Sequence, residues 1–509
     1  MTDSPSGQPG ASDSDAWEQM LRSLFGDDSE GILAEMRARG FSPEQISAAS
    51  GIADNPAALG AALDQIRRML GSDDASPVNT TVAHDVARHV ASSEGDPTVT
   101  EVDRHRVKEA FTVAELWLDA VTDLPPAGGT VAAWSRAEWV EATLATWNAL
   151  TAPVATAVVG ALTDLLASQS DEDGEPEHIP GADLFGPGAT SDVVLHRVGS
   201  AVFGMQVGQA TGTLAREVFG TTDVGVPLLA GPGTALVVHN VDDFAEGLDD
   251  IPVDEVRLFL AMREAASSRL FTHVPWLRSH VTGLVDAYAR GVVIDPDELE
   301  RAMRDVDPTD TAAMQRALSS GVFGINATGT QQATLLRLET TLALFEGWVD
   351  AVVAEAAAPH LPHVVQLREM MRRRRAAGGP AEQTFATLVG LELRPRRARE
   401  ATRLWELLRV KRGSEGRDAV WDHPDFLPTA EDLDDADAYV ARRGDVASGE
   451  EDVDAALEEI FAEAFGDGGG ATPEGAEGEN AVDDGRAPGK ASGDDDVSGD
   501  GASGDTDAP

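Results

Sequence analysis

The sequence predicts a mainly α-helical protein with at most a short β element and a disordered, acidic C-terminal tail. Three observations predict it. From about Val82 to Leu408, apolar residues recur at spacings of three and four, the period of helices packing one face into a core. Only Thr234 to Asn240 reads as a strand, an apolar run with Gly/Pro before it and Asn/Asp after it. From Gly466 to the end, 12 acidic residues stand against Arg486 and Lys490 alone, a composition that cannot bury a core.

Composition narrows the function classes. The chain has 509 residues, and a hydrophobic fraction of 42 % is enough for a core. Its net charge of −49 would repel phosphates, which argues against DNA or RNA as a partner. There is no cysteine, so disulfides, thiolate nucleophiles, cysteine-ligated zinc and iron–sulfur clusters are excluded. The first 16 residues lack the basic start and apolar run of a signal peptide. The most apolar stretch, Thr151 to Ala167, is interrupted by Pro153 and Asp164 and is too short to span a bilayer. A cytoplasmic protein without a membrane partner is expected.

Along the chain, residues 1–16 are Ser/Gly/Asp-rich and expected to be disordered. Residues 17–72 carry short helical patterns between glycine turns, a small helical region, and a looser link follows. The main domain spans 80–440. Val107 to Val121 and Ala137 to Leu166 are its plainest helices, and Asp171 to Thr190 is a polar loop inside it. Val193 to Val218 is punctuated by glycines, as in Val202-Phe-Gly-Met-Gln-Val-Gly-Gln-Ala-Thr-Gly212. No strand precedes them and no P-loop lysine follows, so close helix packing is expected rather than phosphate binding. An acidic helix or linker over 441–465 leads to the disordered acidic tail, 466–509.

The segment from Asp254 to Trp276 reads as an amphipathic helix ending at Pro275. At its centre, Arg263-Glu264-Ala265-Ala266-Ser267 occupies the frame of the His-Glu-x-x-His motif with both histidines replaced. In the intact motif, histidines at i and i+4 share one helix face and bind zinc, and the glutamate activates a metal-bound water. Arginine stays protonated and cannot be a ligand; serine is a poor one.

Several separate phrases resemble one family. They are Phe203-Gly-Met-Gln-Val-Gly-Gln209, Arg263-Glu-Ala-Ala266, His273-Val-Pro-Trp-Leu-Arg278, Phe345-Glu-Gly-Trp-Val-Asp350, Pro380-Ala-Glu-Gln-Thr-Phe385 with Gly390-Leu-Glu-Leu-Arg-Pro395, and Asp422-His-Pro-Asp-Phe-Leu-Pro428. Over Trp17 to Val440 the chain resembles the actinobacterial zincin-like family described as zinc-dependent metalloproteases or hydrolases. One branch of that family is associated with deazaflavin-cofactor biosynthesis. The resemblance implies a zincin-like helical core and zinc as cofactor. It also implies Glu264 as general base, Glu346 as the third metal ligand, and Arg263 and Ser267 at the two histidine positions.

Two placements of Arg263 follow from its chemistry. Its guanidinium could pair with the Glu346 carboxylate where a zinc ion would sit. Alternatively, Arg263 faces solvent and Glu264 caps or pairs elsewhere. His273 and His280 are the nearby histidines that could replace the lost ligands. His273 lies beyond the i+4 reach of Glu264, and His280 follows Pro275. The expectation is that zinc is not bound here. The first function reading is a hydrolase of the metallopeptidase type; the alternative is a catalytically inactive pseudo-enzyme that binds a protein or peptide.

Other clusters point to structure rather than chemistry. His360-Leu-Pro-His363 has a proline that spoils a shared helix face. The arginines at 372 to 375, with Arg394, Arg396, Arg397 and Arg399, are expected to pair with internal or tail carboxylates. Glu382 and Glu392 fit ordinary helix-surface charges.

Overall fold

The computed structural model describes residues 76–169, 191–248, 250–291, 328–376, 380–391 and 397–443. The expectations for 1–16, 17–72, the loop at 171–190, the linker beyond 443 and the tail at 466–509 lie outside them. All described residues fall within one compact unit, Met1–Gly444.

They are mostly helical, as expected. In chain order the elements are α1 (Thr80–Ser92), α2 (Glu101–Leu118), β1 (Thr130–Trp134), α3 (Arg136–Gln169), α4 (Ser191–Ala215), β2 (Gly233–Val237), α5 (Val238–Glu246), α6 (Val253–His273), α7 (Leu277–Arg290), α8 (Gly329–Ala357), α9 (Val364–Ala376), α10 (Pro380–Val389), α11 (Ala398–Asp418) and α12 (Ala430–Asp434). Local chemistry sets several starts. Asn79 accepts from the Val82 N–H at 3.0 Å to cap α1. Thr100 with Asp103 and Thr328 with Gln331 form capping boxes on α2 and α8.

The β element differs from the sequence reading in two ways. The run from Thr234 to Asn240 is a strand only as far as Val237, after which the chain turns into α5. It also has a partner: β1 pairs with it in parallel, from Thr130 opposite Gly233 to Trp134 opposite Val237. β1 is short, and only Ala133 in it is fully buried, so no alternating pattern announces it. β2 is buried throughout, which removes the alternation there too.

The glycines of α4 serve packing. A Cβ on Gly208 would lie 2.7 Å from both the Ala83 carbonyl and the Val86 Cβ. Gly204 and Gly212 meet Asn79 and Ala87 of the same partner, so three glycines four residues apart bring α4 against α1. Pro153 does not interrupt α3, which runs through it. Within α3, Arg136–Gly160 is long and apolar enough to cross a membrane, a longer stretch than Thr151 to Ala167; half of it is buried inside the fold.

Two helices form the centre. In α8, every residue from Thr341 to Val353 is buried. The same holds in α6 from Phe259 to Phe271. The segment read as amphipathic is therefore surrounded on all sides. Its sequence misleads because its polar residues are buried too.

Candidate functional site

A buried polar group is tolerated only when its hydrogen bonds or charge are met inside the protein. Helix α6 carries six such residues, and the site follows from how they are met. Arg257 pairs with Asp242 and Asp254. Arg269, fully enclosed, pairs with Glu115 and Asp119 and donates to the Leu124 carbonyl at 2.8 Å. Ser268 donates to the Gly233 carbonyl of β2 at 3.5 Å. Arg263, Glu264 and Ser267 remain, and all three border one cavity.

Glu264 is caged by the turn Gly220–Asp223. Its Oε1 accepts from the Thr221 N–H at 2.9 Å and from the Thr221 hydroxyl. Its Oε2 accepts from the Thr222 N–H at 3.1 Å and the Thr222 hydroxyl at 2.6 Å. Gly220 makes the close approach possible, because a Cβ there would stand 2.5 Å from Oε2. Burial pushes the Glu264 carboxyl above the usual carboxylate range, against the pull of these four donors.

Arg263 points the other way around the helix, to α8, where it is ion-paired with Glu346. Both side chains are 8 % exposed, so this is a buried pair. Burial would lower the guanidinium's pKa, but Glu346, Asp350 and Asp223 hold it above the usual arginine range, a permanent cation. The other oxygen of Glu346 lies 3.0 Å from Arg375, at the end of α9. Arg375 and Arg374 both reach Asp223, at 3.7 and 3.6 Å. Arg374 also lies over the Phe219 ring, 4.0 Å from its centroid. One turn back, Arg368 and Arg372 hold Asp350 at 2.9 and 2.6 Å. Burial would raise the Asp350 carboxyl, yet Arg368, Arg263 and Arg372 keep it below the usual range. Arg372, Arg374 and Arg375 of α9 thus meet internal carboxylates, whereas Arg373 pairs with Glu369 on the surface of the same helix.

The cavity between these groups is lined by Phe219, Gly220, Thr222, Asp223, Leu236, Leu260, Arg263, Glu264, Ser267, Met371 and Arg375. The space open to the centre of a water molecule is about 20 Å³, room for one or two waters.

Of the residues read from sequence, Arg263, Glu264 and Ser267 share this cavity, and Glu346 stands behind it through Arg263. The histidines do not join them. The His273 ring meets the Pro126 carbonyl at 3.1 Å, and His280 meets the Thr341 hydroxyl at 3.4 Å. His360 stacks on Trp117 with ring centroids 4.2 Å apart, whereas His363 contacts Glu255 at 2.9 Å. Thr221, Thr222 and Asp223 were not singled out in sequence. A Gly-Thr-Thr-Asp turn is common, and only the fold brings it to α6. Arg375 was visible only as one of a basic run.

These residues do not fit zinc. A zinc site needs three or four free nitrogen, oxygen or sulfur donors converging on one point. Here the first histidine position is a cation, Glu346 is held by two guanidinium groups, and both oxygens of Glu264 are taken. Among the described residues no group of three or more His, Asp or Glu side chains is placed to hold a metal ion.

The fold and the frame on α6 define a helical, zincin-like scaffold. The family model described as zincin-like metallopeptidase matches residues 78–440, and the chain belongs to that family. No curated protein matches it. A solved structure from Chloroflexus aurantiacus, described as a proposed hydrolase with a novel fold, is similar at 18% identity. It covers 72% of this chain and 98% of its own, with a TM-score of 0.49, too distant a likeness to carry an argument.

Proposed function

We propose that this zincin-like metallopeptidase family member is a pseudo-enzyme in which the Arg263 guanidinium takes the place of zinc and the cleft binds a protein or peptide. The single observation that carries the reading is the buried Arg263–Glu346 pair. A fixed positive charge at that position meets the third-ligand glutamate electrostatically, as a metal ion would, without offering a Lewis-acid site. Glu264 fits the same reading. A general base needs a free lone pair within reach of the proton it abstracts, and all four donors around Glu264 come from Thr221 and Thr222. The net charge of −49 favours a protein or peptide over a nucleic acid, and a cytoplasmic site of action is part of the proposal.

Metal analysis of the purified full-length chain tests it. Essentially no zinc is expected, with no chelator-sensitive peptide hydrolysis. Near-stoichiometric zinc in the unaltered chain would overturn the reading. The paired substitution Arg263→His and Ser267→His restores two imidazoles at i and i+4 and is expected to create zinc binding. No gain of metal in a folded double variant would mean that Glu264 and Glu346 do not mark the family's metal frame.

A further inference from the structure

Around the cavity beside Ser267, whose wall includes Arg263 and Arg375 and not Arg374, guanidinium groups outnumber the carboxylates that pair with them, although Arg374 and Arg375 also donate to the Glu217 and Asp223 carbonyls. Three guanidinium groups, Arg263, Arg374 and Arg375, share two carboxylates, Glu346 and Asp223. Glu264 adds no acceptor, because Thr221 and Thr222 fill both of its oxygens. The geometry of the remainder is incomplete. The Nε of Arg375 and the Nη1 of Arg374 are buried without a hydrogen-bond partner, and the nearest carboxylate oxygen to that Nη1 is 3.6 Å away. Glu346 Oε2, itself buried, stands 3.0 Å from Arg375 in an ion pair whose angle makes no hydrogen bond. Unsatisfied buried donors of this kind call for an acceptor, and a charged donor gains most from an anionic one.

The other lining groups narrow the ligand. Ser267 and Thr222 lie on the wall, the Thr222 hydroxyl committed to Glu264, and Phe219, Leu236, Leu260 and Met371 supply an apolar side. With about 20 Å³ open to water centres, the inner cavity admits a group no larger than a carboxylate.

We infer that this cavity is a subsite for a carboxylate carried next to an apolar group, with Arg375 as its principal donor. Two sources share that chemistry: the C-terminus of a peptide ending in an apolar residue, and a free short-chain carboxylic acid. The inference rests on the pseudo-enzyme reading, since a zinc ion in the frame would reorganise the same arginines.

Titration calorimetry on the full-length chain tests it, with three probes. They are a short peptide ending in leucine with a free carboxylate, the same peptide as its C-terminal amide, and hexanoate. The free-acid peptide, hexanoate or both should bind at one site per chain, and the amide should not. Binding of the peptide acid alone identifies a peptide terminus, and of hexanoate alone a small acid. Arg375→Gln should weaken binding about tenfold, the loss of one charge-assisted contact. Arg409→Gln, at a remote pair with Glu355, should leave it unchanged. An amide that binds as tightly as the acid, or no binding of either acid, would overturn the inference. That comparison needs no variant, so it stands even where Arg375→Gln does not fold. Zinc measured on the same samples separates the outcomes. Stoichiometric zinc sinks the pseudo-enzyme reading, whereas zinc-free protein that ignores both acids sinks the subsite alone.

Discussion

Two glutamates on the two central helices face the same burial and are held in opposite ways. Glu264 on α6 and Glu346 on α8 are 4 % and 6 % exposed. Glu264 is held by neutral donors, two backbone amides and two hydroxyls of one turn. Glu346 is held by two cations from different helices, Arg263 and Arg375. Neutral donors satisfy hydrogen bonds but leave the charge uncompensated in a low dielectric. Cations compensate the charge and become dependent on it in turn. The difference teaches that the surroundings of Arg263 and Glu264 on α6 are held in two unlike ways. One is a neutral brace between α6 and the Gly220–Asp223 turn, and the other is an electrostatic joint between α6, α8 and α9.

The largest effect is expected at the electrostatic joint. Glu346→Gln keeps the shape and removes the charge, leaving Arg263 buried without its main counter-ion. A loss of about 3 kcal/mol of stability is expected, the usual scale for breaking a buried pair. Urea denaturation of the chain and the variant measures it. Replacing both partners, Arg263→Met with Glu346→Leu, should recover most of the loss, because the more buried cation is gone and Arg375 keeps Asp223 at 3.7 Å. A double variant as unstable as the single one would show that α8 needs Glu346 for something other than Arg263.

A smaller effect is expected at the neutral brace. Thr221→Val with Thr222→Val removes the two hydroxyl donors and keeps both amides and the side-chain shape. About 2 kcal/mol is expected, since hydrogen bonds to a charged group exceed neutral ones while half the cage survives. A cost equal to that of Glu346→Gln would erase the distinction between the two glutamates.

The contrast also explains what could be read in the sequence. Helix α3 and the helical stretch around α6 were legible, because spacing of three and four survives burial. The Arg263-Glu264-x-x-Ser267 frame was legible because it keeps a known spacing while replacing two of its residues. That α6 is enclosed on all sides was not legible. Arg257, Arg263, Glu264 and Arg269 suggest a solvent face, and only their partners on α2, α5, α8 and the 220–223 turn make them internal. Those partners lie as far as 154 residues away, as in the pairing of Arg269 with Glu115. No local pattern encodes such a distance. The strand β1 was missed for a related reason: its pairing with β2 is set by register across α3 and α4 rather than by its own sequence.

The smallest effect lies in pH dependence, and its sign differs at the two parts of the site. Burial raises the Glu264 carboxyl above its unfolded value of 4.5, so folding favours its neutral form. The stability this contributes is fully present below pH 4.5 and is lost as pH rises through the raised folded value. Asp350, in the arginine network, is depressed below its unfolded value of 3.8 despite its burial. Its contribution is present above pH 3.8 and is lost as pH falls through the depressed folded value. Urea midpoints measured across this range should show the two limbs separately. Glu264→Gln should flatten the loss toward neutral pH and leave the acid limb alone, whereas Asp350→Asn should do the reverse. The slopes decide, since each substitution also shifts stability by a constant amount at every pH. A neutral-side slope unchanged in Glu264→Gln would mean that the four donors offset burial, so that folding does not raise the Glu264 carboxyl. The contrast between the two glutamates would then reduce to the identity of their donors.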